Sequence, residues 1–373
     1  MSSKAGIKPP FRADHVGSLL RPAELATGRQ RWKAGEIDDA ALAEIEDSAV
    51  RDVVALQESV GLKGVTDGEY RRDYWHLDFM WGFDGVRPTD TDYAANFSDG
   101  KDFVAPAAQV YDKVRYPADG IMRRHFEFLK ETTRQTPKMT IPAPTMFRHR
   151  AGRHVILEDA YPEMDEFWID LGKAYNDAIQ DFYSLGCRYL QLDDVNSTNL
   201  CDPNMQARMR EQGTDPDQLL DSFIEVNNAA IAGRPDDMVV TTHMCRGNFR
   251  SSWISSGGYE AVAEKFLSQM QIDAFFMEYD SERAGDFQPL RFLPKDKMVV
   301  LGIVTSKTPD LEPKDELKRR IDEAARFVDV DRLCLSPQCG FSSTHHGNEL
   351  TADEQRRKLE HIVAVAEEVW GGV

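Results

Sequence analysis

The chain has 373 residues, 41% of them hydrophobic, with 63 acidic against 45 basic side chains and a formal charge of −18. That length allows a sizeable core, the apolar fraction excludes a disordered chain, and the acidic balance argues against nucleic acid or an anionic membrane surface as a partner. No stretch approaches the ~18 consecutive apolar residues of a membrane span, and MSSKAGIKPPFRADHVGS lacks a signal-peptide core, so a cytoplasmic protein is expected.

The first candidate strand is FRADHVGS, ending at Ser18. Apolar residues three and four apart in DDAALAEIEDSAVRDVVALQESVG, closed by Gly61, predict an amphipathic helix. GVTDGE reads as the second strand. From about Trp81 to Pro137 the chain is polar and aromatic without clear period, which reads as an insertion near the mouth of the fold. KMTIPAP, RYLQLDD, MVVTTHMC, IDAFFMEYD, MVVLGIV and RLCLSPQCG supply further apolar runs with too little alternation for a solvent-facing sheet. Helical patterns separate or follow them: EFWIDLGKAYNDAIQDFYSLG, DQLLDSFIEVNNAAIAG, PKDELKRRIDEAARFV and TADEQRRKLEHIVAVAEEVW. Eight buried strands alternating with helices predict an α/β fold. The expected architecture is a (β/α)8 TIM barrel in a single domain, residues 1–373, with an insertion after the second strand. A doubly wound open sheet is the alternative, but no G-x-G-x-x-G or Walker-type loop supports it.

Chemically capable side chains collect where the apolar runs end: Ser18, Asp67, Glu69, Asp193, Asp194, His243, Cys245, Glu278 and Cys339. In such a barrel those ends converge on one face, where active sites form. Residues two apart on a strand point the same way, so His243 and Cys245 can share one ion. Zinc takes four ligands from Cys, His and carboxylate, and Glu278 and Cys339 are candidates to complete the set. The competing reading makes His243 and Cys245 ordinary core residues, since cysteine is commonly buried. Five cysteines argue against a disulfide framework and leave reduced thiols. Cys187 and Cys334 read as small buried hydrophobes. Taken alone, Ser18 suits a turn cap and Glu69 a surface ion pair, whereas Asp193 directly after YLQL would be buried and in need of a partner.

THMC, QLDD, DGE and the CG of SPQCG resemble the motif set of the catalytic domain of the cobalamin-independent methionine synthase family. The resemblance runs in order over nearly the whole chain, and CRGN and EYD…R.GDF resemble its short, single-domain members. It implies Zn2+ held by His243, Cys245, Glu278 and Cys339, and no cobalamin. It also implies a homocysteine-like thiol whose amino-acid part meets Ser18, Glu69 and Asp193. Asp67 and Arg72 are further candidate substrate contacts, and Arg71 and Arg246 candidate anion contacts. The implied activity is zinc-dependent S-methylation (or another S-alkylation) of the thiol, a step in methionine biosynthesis. A free thiol with a pKa near ~8.5 is mostly protonated at neutral pH, and coordination to zinc makes it a thiolate.

Three features that the family ties to methyltetrahydrofolate differ. Thr305 stands where a His proton donor is implied, APTMFRHR has no Trp to stack on a pterin, and Asn199 replaces a folate-contacting Glu. Folate as donor is therefore in doubt. His149, His345 and His346 are candidate substitutes for proton transfer, with Asp194 a further candidate catalytic residue. Thiol alkylation of the epoxyalkane–coenzyme M transferase type is the alternative, because an epoxide needs no His donor. A closed structural zinc in a non-catalytic thiol-binding protein is a third reading. A metal-free decarboxylase of the uroporphyrinogen type is disfavoured by the His-x-Cys pair and the late Cys. Whether copies of the chain associate stays open.

Overall fold

The protein is described from a computed structural model, which covers residues 8–91, 94–98, 100, 102–104, 106–148 and 152–373. The strands in chain order are β1 (Gly64–Val65), β2 (Asp84–Thr89), β3 (Ala94–Asn96), β4 (Asp102–Val104), β5 (Ala107–Arg115), β6 (Thr136–Pro142), β7 (Tyr189–Asp194), β8 (Val239–Met244), β9 (Ala274–Glu278), β10 (Met298–Val304) and β11 (Leu333–Pro337). Seven of them form one parallel sheet in the order β1-β6-β7-β8-β9-β10-β11. Every residue of β7, β9 and β11 is buried, because helices cover one face and the curl of the sheet encloses the other.

The covering helices form for legible reasons. Asp38 caps the helix Asp39–Ser59 by accepting a hydrogen bond from Ala41 N at 2.9 Å. Its buried stripe includes Leu42, Ala49, Val50, Val53 and Val54. Thr351 and Glu354 form a reciprocal capping box at the start of Ala352–Trp370, and Gly371, with φ 74°, ends that helix in the left-handed region.

The expected first strand is reduced to one bridge, Ala13 to Leu335, with Asp14 N donating to Leu335 O at 2.9 Å. Asp14 explains the reduction. Its carboxylate accepts from Phe11 N at 3.2 Å and His15 N at 2.8 Å, which curls the segment onto its own side chain rather than into a ladder. The same segment reaches the far edge of the sheet, where Thr66 Oγ1 donates to Gly17 O at 2.7 Å and Leu19 N to Gly68 O at 3.1 Å. Inside the curl, Lys138 Nζ donates to Asp14 at 3.0 Å and Tyr189 OH donates to Asp14 at 2.7 Å. Asp14, Lys138 and Tyr189, all fully buried, thus stay paired, as their desolvation requires.

The stretch read as aperiodic, 81–137, holds more structure than its pattern suggests. β2 pairs with β5, and β3 with β4, both antiparallel. The helix Arg123–Thr132, with Phe126 and Leu129 buried, then leads into β6. Burial along β5 alternates only in part, which is why no period of two shows in its sequence.

Candidate metal and thiol site

His243 is the penultimate residue of β8, Cys245 follows that strand, Glu278 ends β9, and Cys339 lies two residues beyond β11. One ligand atom from each of these buried residues lies within 4.8 Å of the others. The Cys245 and Cys339 sulfurs are 3.6 Å apart. That is far longer than the ~2.05 Å of a disulfide, and close to the ~3.8 Å separating two sulfurs that each lie ~2.3 Å from a tetrahedral zinc. Both ring nitrogens of His243 are buried without a hydrogen-bond partner, an arrangement that calls for a ligand on the imidazole. The donor set fits zinc. The contact between the sulfurs draws the Cys245 thiol well below its usual range and pushes Cys339 well above it.

Glu278 is held from two sides. Its Oε1 accepts from Arg246 N at 2.9 Å and its Oε2 from Arg283 Nη2 at 2.9 Å. Arg283 also donates to Asp280 at 2.9 Å, and Lys307 Nζ reaches the other Asp280 oxygen at 2.9 Å. This buried ladder of alternating charge fixes the carboxylate beside the sulfurs.

A cavity opens onto His243, Cys245 and Cys339, and Ser18, Glu69 and Asp193 also line it. Glu69 has a φ of 61°, unusual for a non-glycine residue, and Asp67 Oδ1 supports it by accepting from Glu69 N at 2.9 Å. Such a conformation costs about 1–3 kcal/mol and persists where the surroundings over-determine it. Thr140 Oγ1 donates to Glu69 Oε1 at 2.8 Å, and Arg72 pairs with the same oxygen at 3.7 Å. Burial raises Glu69, against the pull of Arg72. Burial also pushes Asp193 up to about 7 despite the attraction of His243, while Gln191 donates to its Oδ1 at 2.7 Å. Ser18 Oγ accepts from Ser342 N at 3.3 Å, and a Cβ on Gly340 would lie 2.0 Å from that oxygen.

Other candidates lie elsewhere. Asp67 and Arg72 are buried and support Glu69 without lining the cavity. Arg72 Nη2 donates to Thr140 O at 2.6 Å. Both Asp194 oxygens accept from Ser197, at 3.0 and 2.6 Å, which turns this acid toward the short helix Asn196–Asn199. His345 and His346 stack at 3.9 Å and line a separate open cavity beside Arg21. His149 lies outside the described residues. Arg71 pairs with Glu46 and Asp47, and Arg246 lies over the Tyr259 ring at 4.6 Å.

The sequence reading missed Trp75, His76, Phe97 and Phe249, all of which line the main cavity. They come from irregular segments, where periodicity carries no signal; the nearest cue was the aromatic density of RDYWHLDFMWGF. Phe97 and Phe249 pack at 4.9 Å, and Ser98 N donates to Trp253 O at 2.8 Å, joining the loop after β3 to the loop after β8.

Residues 11–368 match the family described as the cobalamin-independent synthase, catalytic domain. The Bacillus subtilis protein YxjH, described as uncharacterized, is 45% identical over 97% of this chain and 96% of its own. A solved Listeria monocytogenes structure, named as a candidate vitamin-B12-independent methionine synthase, is 35% identical with a TM-score of 0.79, over 98% of this chain and 100% of that one. A B12-independent methionine synthase from Shewanella, solved with selenomethionine, shares the fold at 21% identity and a TM-score of 0.72, over 96% and 97% of the two chains.

Proposed function

The chain belongs to the cobalamin-independent synthase catalytic-domain family, and from that premise we infer that it transfers a methyl group to the sulfur of a homocysteine-like thiol, with Zn2+ held by His243, Cys245, Glu278 and Cys339. The observation that carries this reading is one cavity in which three metal-type donors share the lining with the acids Glu69 and Asp193. Zinc bound there supplies the Lewis acidity that keeps a thiol sulfur ionised and nucleophilic near neutral pH.

The chain's own residues orient the acceptor. Glu69 and Asp193 offer carboxylate oxygens, and no lysine or arginine lines the cavity among the described residues. That balance suits the ammonium of an amino-acid thiol. Ser18 Oγ is placed to hold the amino acid's polar end. A thiol bearing a sulfonate would meet two acids and no cation there, which weighs against alkylation of the epoxyalkane–coenzyme M type. Trp75, Phe97 and Phe249 wall the cavity and exclude water from the displacement.

We read the whole chain as one catalytic unit, with the Ala13 segment completing an eight-stranded barrel and the β2–β5 region covering its mouth. No helix among the described residues is long and apolar enough to cross a membrane. The test is to incubate the zinc-loaded protein with homocysteine and labelled N-methyl donors and to measure methionine. Methionine formed at a rate above the protein-free control supports the reading. Zinc-loaded protein that forms no thioether from any donor overturns it.

A further inference from the structure

We propose that the turn 249–252 is a spring-loaded gate over the main cavity. Two left-handed residues at its tip hold the strain that favours opening, and Ser98 latches it shut. The gate goes beyond the methyl-transfer reading, because it governs access to the site rather than the reaction there.

The site needs a moving wall. His243, Cys245, Glu278, Cys339, Glu69 and Asp193 are each no more than 7% exposed, so the way in is narrow and widens only if part of the lining shifts. The segment 247–257 has neither helix nor strand, and it gives Gly247, Asn248, Phe249 and Ile254 to the lining. Gly247 at φ 83° and Gly257 at φ 112° bracket it, and glycines of this kind absorb a hinge rotation at little cost.

The tip between these hinges is strained. Phe249 N donates to Ser252 O at 3.1 Å and Ser252 N to Phe249 O at 2.9 Å. They close a two-residue turn with Arg250 at φ 46° and Ser251 at φ 65° in its centre. Positive φ at both central positions suits glycine and asparagine, whereas arginine and serine adopt it only under constraint.

Contacts on two sides supply the constraint. On one side, Ser251 N donates to Asn348 Oδ1 at 3.1 Å, and Glu349 N donates to Ser251 Oγ at 3.0 Å. On the other, Ser98 N donates to Trp253 O at 2.8 Å, and Ser98 Oγ lies 2.7 Å from Ser252 Oγ. The base is held separately, since Ile254 N and Ser255 N both donate to Arg246 O, at 3.0 and 3.2 Å. The tip can therefore lift while β8 stays in place. Phe249 lifts with it, leaving Phe97, its partner at 4.9 Å across the cavity wall.

The test follows two rates in the zinc-loaded parent, in Ser98→Ala and in Arg250→Asn. One is release of zinc to excess EDTA. The other is alkylation of Cys245 and Cys339 by iodoacetamide, mapped on peptides, with the core residue Cys187 as reference. Both substituted side chains are exposed, so the fold tolerates either change. Ser98→Ala loses the hydroxyl contact and should speed both rates about 2–10-fold. Arg250→Asn eases the closed turn and should slow both by about 3–10-fold. Cys187 should react equally slowly in all three proteins. Equal rates throughout, or both variants shifting the rates in one direction, would overturn the gate. So would Cys187 reacting in step with Cys339, which marks opening as unfolding of the whole chain. A parent that holds no zinc removes the metal reading alone, because alkylation still reports the gate.

Discussion

Cys245 and Cys339 are 94 residues apart in the chain, yet their sulfurs lie 3.6 Å from each other. Neither strand end could arrange this alone; β9 and β10 lie between β8 and β11 and set the spacing. If the contact is a metal clasp, Cys245→Ser and Cys339→Ser should each lose most of the bound zinc. Elemental analysis beside the parent protein checks this, with about one zinc per chain expected in the parent. Full zinc retained in either variant would strike that sulfur from the ligand set.

The ladder behind Glu278 makes a separate claim. Arg283 is the side chain that ties Glu278 to Asp280. Replacing it with alanine leaves all four donors in place but frees the carboxylate and leaves Asp280 with Lys307 alone. Removing such an outer partner costs about 10–100-fold in metal affinity. Competition for zinc against a chromogenic chelator should show a loss of that size, partly restored in Arg283→Lys. An unchanged affinity would mean that Arg246 N alone positions Glu278.

Asp193→Asn keeps the shape of the side chain and removes its charge. A charge-assisted hydrogen bond contributes about 1.5–3 kcal/mol, or roughly 10–150-fold in an equilibrium constant. Homocysteine binding, read by titration calorimetry on the zinc protein, should weaken by that range, while an analogue lacking the amino group binds both forms equally. Equal weakening for both ligands would point instead to a collapsed cavity.

How much of this was readable follows from where each residue sits. His243 and Cys245 share a face because side chains on a strand repeat every two residues, and Glu278 and Cys339 stand at the ends of apolar runs. Parallel pairing brings those ends to one side, so four widely spaced residues could be grouped before any coordinates. Asp14 defeated the first strand for the opposite reason. Its side chain captures backbone N–H groups at 2.8 and 3.2 Å, a local competition that apolar periodicity does not record. Trp75, His76 and Phe97 were out of reach because irregular segments, placed by long-range packing, carry them. Asp194 ends β7 directly after Asp193, yet both its oxygens accept from Ser197 while Asp193 lines the cavity; sequence cannot separate those two fates.

His15 gives the fold a dependence on pH. It is 1% exposed, and burial, with Lys138 nearby, lowers it to about 4. The unfolded imidazole takes up a proton near pH 6.5 while the folded one stays neutral until about pH 4. Its contribution is therefore complete above pH 6.5 and lost at roughly 1.4 kcal/mol per unit as pH falls from there toward 4. Urea midpoints at pH 7 and pH 5 should differ less in His15→Gln than in the parent. Asp14 and Lys138, the charged groups beside it, are kept in both proteins. An identical pH dependence would show that other groups govern acid unfolding.

Gly302 on β10 joins fold stability to the metal donors. It pairs in register with Glu278 on β9 and Ser336 on β11. A Cβ there would meet Gln338 Cα at 2.8 Å and Met277 O at 2.9 Å. Both contacts are backbone atoms, so no side-chain rotation relieves them. One belongs to the residue before Cys339 and the other to the residue before Glu278. The glycine thus lets two ligand-bearing segments close on each other, a use of strand glycine that MVVLGIV carried in plain sight. Gly302→Ala should force them apart, destabilising the fold by about 1–3 kcal/mol and weakening zinc retention in the same protein. Gly372, near the chain end, has open space around it, so Gly372→Ala is the matched control. Calorimetry and chelator release together decide the point: lost stability with unchanged zinc release would confine Gly302 to packing, whereas parallel losses tie the strand spacing to the site.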